Sequence, residues 1–175
     1  MTKTVYALLF LGFIFTNLHA NQNDLSATIV GYGDSSYIKN NTGASVLITQ
    51  GKTKIIVDMG YSTEKDLRKL GVNLENLSAL LYTQKLKLID LELYPNKNKK
   101  VLGGESFYIN DIKITTLKIK NSPYEISYRF DCGEKSIIVT GNANNIKALS
   151  KFAKNSDFVI INSSGNVRIA FNQFH

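Results

Sequence analysis

The sequence predicts a single α/β domain, and three observations carry that prediction. Short runs rich in Val, Ile, Thr, Tyr and Phe recur along the chain, bounded by Gly, Asn, Asp or Ser, as β-strands are. Two segments with apolar residues at helical spacing fall between them, one over residues 62–70 and one over 144–154. The chain has 175 residues, 43% of them hydrophobic, and only two prolines, a composition that fits one globular core.

The first strand is 27–30, followed by the turn Gly31-Tyr32-Gly33-Asp34. Two spaced glycines without an immediate helix do not make a dinucleotide fingerprint. Residues 44–49 and 53–58 form a hairpin around Gln50-Gly51-Lys52. Ser62 or Thr63 can cap the helix that follows, Glu64 and Asp66 suit its positive first turn, Leu67 and Leu70 give its apolar stripe, and Gly71 stops it. Leu77–Tyr82 is a buried strand, and 96–100 is a polar loop. Strands follow at 106–109, 112–119, 124–130 and 136–140, with turns at Asn110-Asp111 and at 131–134. In the second of these, Ile112, Ile114 and Thr116 alternate with Lys113, Thr115 and Leu117, so one face is buried. The second helix sets Ile146, Leu149 and Phe152 or Ala153 on one face. Phe158–Ile161 is a buried strand and Val167–Phe171 the last.

Residues 1–20 have the layout of a secretory signal peptide. Lys3 supplies the positive start, Val5–Phe15 an uncharged apolar stretch, and Leu18-His19-Ala20 a cleavage site ending on a small residue. The apolar stretch is too short to span a bilayer comfortably. Cleavage after Ala20 gives a mature domain over 21–175 that is secreted or periplasmic. No cysteine near the cleavage point offers a lipid attachment site, so no stable membrane anchor is expected. Cys132 is the only cysteine, which precludes an internal disulfide and suits a structural residue, a redox or dimer-linking role being the alternative.

The formal net charge is +7. Lysines are scattered from Lys39 to Lys154 with no run longer than Lys99-Lys100, the pattern of a solvated surface, with an anionic polymer or membrane as the alternative. No aromatic-plus-Arg motif of an RNA-binding module accompanies them, so nucleic acid is not an expected partner.

Five short motifs occur in order: Gly31-Tyr32-Gly33, Thr42-Gly43, the strand end Val57-Asp58-Met59-Gly60, Asn121-Ser122-Pro123 leading into Ser127-Tyr128-Arg129-Phe130, and Thr140-Gly141-Asn142 before a helix and strand. Together they resemble the metallo-β-lactamase superfamily, in the style of its ribonuclease Z-like and exported hydrolase members. The resemblance covers most of residues 26–162 and implies an αββα sandwich, two mixed β-sheets flanked by helices, here reduced in size. It also implies a Thr-His-x-His-x-Asp-His loop after the central strand, holding zinc.

At that loop the chain departs from the family. Aligned on Thr83, the ligand positions read Gln84, Leu86, Leu88 and Ile89, and the later ones read Asn121 and Asn142. Zinc needs imidazole, thiolate or carboxylate lone pairs. Aliphatic side chains offer none, and amide oxygens are weak, uncharged substitutes. Outside the signal segment the only histidine is His175, at the end of the sequence. No metal cofactor is therefore expected, and hydrolysis by the family mechanism cannot be built from these residues. Asp34 and Asp58 could form a two-carboxylate site, with Tyr32 as an aromatic cleft residue. For Asp58 the plainer reading is a strand-end residue accepting backbone hydrogen bonds, and for Tyr32, Tyr82 and Tyr124 it is core or rim packing. No internal histidine is present to activate a serine. The expected function is that of a non-catalytic binding or interaction protein, a pseudoenzyme with an unknown ligand or protein partner. The alternative is a hydrolase of the same superfamily with an altered site.

Overall fold

Two β-sheets face each other across an apolar interior, and a helix covers the outer face of each. The computed structural model describes residues 24–30, 45–60, 62–83, 101, 103–118, 125–141, 146–163 and 166–171, with residues 146, 162, 163 and 166–171 described as backbone alone. The first sheet holds β1 (Ser26–Val30), β2 (Ser45–Gln50), β3 (Thr53–Val57) and β4 (Ala79–Leu81) in that order. The second holds β5 (Ser106–Ile109), β6 (Ile112–Lys118), β7 (Ile126–Cys132), β8 (Lys135–Thr140), β9 (Phe158–Ser163) and β10 (Asn166–Phe171), in the order β10-β9-β8-β7-β6-β5. Each sheet contains one parallel pair, β3 with β4 and β8 with β9, among antiparallel neighbours. Parallel strands need a crossover, and the two helices supply it. α1 (Thr63–Lys69) lies between β3 and β4 in sequence, and α2 (Ile146–Phe152) between β8 and β9.

The period of two along each strand makes the layers. Val46, Ile48, Ile55, Val57, Ala79 and Leu81 of the first sheet meet Ile112, Ile114, Tyr128, Phe130, Ile137 and Val139 of the second in one cluster. The alternate residues Leu47, Ile56 and Leu80 pack outward with Leu67 of α1. Ile138 and Val159 pack outward against Leu149, Phe152 and Ala153 of α2. Each fully buried aliphatic side chain in these clusters contributes roughly 1.5–3 kcal/mol. The αββα sandwich expected from the sequence is the fold observed.

Several local expectations are corrected. Leu70 is 52% exposed. It sits at the C-cap of α1, where Gly71 takes a positive φ of 71°, and Val72, Leu74 and Leu77 complete the packing instead. Ser62 occupies the N-cap position, but its side chain caps no backbone N–H. The Thr63 hydroxyl is bonded to the Ser45 hydroxyl. The central strand is confined to Ala79–Leu81, because Leu77 closes the single 3-10 turn Leu74–Asn76. Phe158 is 38% exposed at the start of β9, although the next two residues, Val159 and Ile160, are buried. Cys132 belongs to the end of β7, paired with Lys135, and is a free thiol.

Candidate functional site

The site is the end of the sandwich where β3, β4 and β8 terminate. β3 stops because Asp58 adopts φ 60°, a left-handed conformation that costs an L-residue about 1 kcal/mol and that Asp and Asn tolerate best. Its N–H still donates to the carbonyl of Leu81 at 2.8 Å. The turn beyond is fixed by Ser45, whose hydroxyl accepts from the Gly60 N–H at 3.1 Å and is bonded to the Thr63 hydroxyl. Ser45 and Thr63 are both buried.

Thr83, itself buried, is the hub. Its N–H donates to Asp58 Oδ1 at 2.8 Å and its hydroxyl to Asp58 Oδ2 at 2.7 Å. Its carbonyl accepts from the N–H of Ile126 at 2.9 Å, at the first residue of β7 in the other sheet. One turn of the pleat further on, the Tyr128 hydroxyl donates to the carbonyl of Tyr82 at 2.6 Å. The two sheets are thus stapled twice at the mouth. Burial, aided by the negative charges of Asp58 and Glu105, pushes the Tyr128 phenol well above its ordinary pKa and keeps it a neutral donor.

Gly141, just past β8, lies against the same threonine. A Cβ there would stand 3.1 Å from Thr83 Cβ and 3.3 Å from its carbonyl oxygen, tighter than van der Waals contact. Three chain segments therefore converge on Thr83. The segment beginning at Gln84 leaves from it, the segment containing Asn121 leads into Ile126, and Asn142 follows Gly141. The candidate residues Tyr32, Asp34, Gln84, Leu86, Leu88, Ile89, Asn121 and Asn142 themselves lie outside the described residues.

Asp58 is the sequence candidate that the structure places, at the mouth with both carboxylate oxygens engaged by Thr83. Tyr82 packs outward with the cluster beneath α1, and not into the mouth. Sequence reasoning missed the Tyr128 staple; a tyrosine at an inward position of an apolar strand was the available signal, since a buried phenol seeks an acceptor. It named Arg129 within a motif but missed its role. The Arg129 guanidinium binds the Asp131 carboxylate through Nε at 2.9 and 3.1 Å and donates through Nη1 to the carbonyls of Phe152 and Lys154 at 3.1 and 2.8 Å. That caps the C-terminal end of α2.

The donor set does not fit zinc. Among the described residues no group of three or more His, Cys, Asp or Glu could hold a metal ion. By sequence, the expected ligand positions, on the segments that adjoin Thr83, Ile126 and Gly141, read Gln, Leu, Ile and Asn, which lack the imidazole, thiolate or carboxylate donors that zinc needs. A surface hollow of about 410 Å³ lies far from this mouth, between the turn at Gln50–Thr53 and Asn110-Asp111.

No protein-family model matches the sequence, and no curated protein does. Solved structures do match in shape. The metallo-β-lactamase fold protein YhfI from Bacillus subtilis is 17% identical, with a TM-score of 0.61 over 77% of this chain and 69% of that one. A B3 metallo-β-lactamase with an active-site glutamic acid is 14% identical, with a TM-score of 0.58 over 84% and 80%. MEM-A1, a subclass B3 metallo-β-lactamase from a soil metagenome library, is 13% identical, with a TM-score of 0.56 over 81% of each chain. The fold of this chain is the metallo-β-lactamase fold.

Proposed function

We propose that this chain is an exported, non-catalytic protein, a pseudoenzyme that keeps the metallo-β-lactamase fold and uses the region around its mouth to bind a ligand or a protein partner. One observation carries the reading. Thr83, Ile126 and Gly141 meet at one end of the sandwich, and the sequence positions that the resemblance aligns with metal ligands, on the segments adjoining them, are amides and aliphatics. A hydrolytic centre needs a Lewis acid or an acid/base group at that point, and these side chains are neither. If Leu86, Leu88 and Ile89 close the mouth from within, burying three such side chains would contribute roughly 1.5–3 kcal/mol each; the alternative is an apolar-lined pocket edged by amides. Placement outside the cytoplasm, secreted or periplasmic, rests on the layout of residues 1–20.

Metal analysis of the purified protein tests the reading. Sub-stoichiometric zinc, iron and manganese, removable by chelator with no change in melting temperature, is the expected result. One or more tightly bound ions per chain, lost together with stability, overturns it. N-terminal sequencing of the exported protein should begin at Asn21, and a start at Met1 overturns the placement.

A further inference from the structure

The two outer helices carry their charges differently. On α1 two of the three cations are paired along the helix, Arg68 with Glu64 and Lys69 with Asp66, each at 2.6 Å, and Lys65 stands beside those carboxylates. α2 contains no acidic residue. Lys147, Lys151 and, one turn on, Lys154 stand at i, i+4 and i+7, so they share one face. All three are exposed, while Leu149, Phe152 and Ala153 hold the opposite face to the sheet. The helical trace runs on through Ala153 and Lys154, whose N–H groups donate to Leu149 and Lys151, so the row extends about 10 Å. None of these lysines forms an ion pair among the described residues.

The segregation extends beyond the helix. From Lys135 to the end of the sequence there are five basic residues and a single acidic one, Asp157. That carboxylate accepts from the N–H of Ser136 at 2.7 Å and lies 3.8 Å from the Lys135 ammonium. Asp157 is thus the one side-chain carboxylate in this part of the chain, set against five cations.

We infer that the Lys147–Lys151–Lys154 face of α2 is a docking surface for an anionic phospholipid bilayer. Charge complementarity supports the assignment, since a row of unpaired lysines on the outside of a domain is attracted to acidic headgroups by about fivefold per lysine. Single-stranded nucleic acid fits less well, because it is held by aromatic stacking between the cations and the aromatic ring on α2, Phe152, is packed against the sheet. The association is peripheral, weak and salt-dependent.

Co-sedimentation of the full chain with vesicles tests the inference. The comparison is between phosphatidylcholine vesicles and the same vesicles containing phosphatidylglycerol, so that any insertion of the apolar N-terminal stretch cancels. The expected result is a preference for the anionic vesicles that disappears as salt is raised. Replacing Lys147→Gln, Lys151→Gln and Lys154→Gln together should weaken that preference about 100-fold. The charge-matched control Lys52→Gln, Lys65→Gln and Lys69→Gln should change it far less. Single α2 variants, each expected to lose about fivefold, serve if the triple variant does not fold. Equal binding to both vesicle types, or an undiminished preference in the α2 variants, overturns the inference. So does tighter binding to single-stranded RNA or heparin than to anionic vesicles at the same salt, which would assign the face to a polymer.

Discussion

The carboxylate of Asp58 receives both hydrogens that Thr83 has to give, one from the backbone and one from the hydroxyl. This pair ties the end of β3 to the residue after β4 and, through the Thr83 carbonyl, to the first residue of β7. The end of β3 and one of the two staples between the sheets thus rest on one contact.

Removing it should be costly. Hydrogen bonds to a charged acceptor contribute about 1.5–3 kcal/mol, and a buried donor left alone adds its own penalty. Asp58→Ala should lower unfolding free energy in urea by about 3 kcal/mol. Asp58→Gly should be about 1 kcal/mol milder, because glycine adopts the left-handed φ without strain. Asp58→Asn should be the mildest, since it keeps an acceptor and tolerates that conformation. An alanine variant as stable as the parent would show that Thr83 is held by something else.

Tyr128 predicts an alkaline limb. The fold holds its phenol neutral above the ordinary value of 10.0. At high pH the unfolded chain therefore loses this proton first, and stability that is complete below about pH 10 declines as pH rises further. Tyr128→Phe should remove that part of the decline while costing about 1 kcal/mol at neutral pH through the lost bond to Tyr82. Denaturation curves of the two proteins across the alkaline range provide the check; parallel pH profiles would contradict it.

The loop after Thr83 provides a third prediction. If Leu86 and Ile89 fill the mouth, the double substitution Leu86→Asp and Ile89→Asp buries unpaired charge and should destabilise the domain by several kcal/mol. A double variant that melts like the parent would mean that residues 84–90 are exposed, and would make that loop the better place to look for a binding surface.

Strand-level order was legible in the sequence because a sheet with two covered faces forces a strict pattern. Ile55-Ile56-Val57 and Ile137-Ile138-Val139 are apolar throughout, each alternately feeding the interior between the sheets and a helix outside. Helix ends were less legible. Leu70 has the right spacing for the apolar stripe of α1, yet the chain turns at Gly71 before it can pack. Phe158 has the composition of a core residue, but its place at the start of an inner strand leaves it partly in solvent.

What the sequence by itself determined was the order of strands and helices and the residue type at each position, because periodicity and residue type are local properties; the αββα arrangement was implied by the resemblance that its motifs carry. It could also say that Asp58 closes a strand. Only the tertiary structure decided that Asp58 reaches Thr83, 25 residues away, and that Tyr128 reaches the Tyr82 carbonyl across the sheets, 46 residues away. Hydrogen bonds between distant segments leave no period in a sequence. They exist because burial strips water from polar groups that must then find one another.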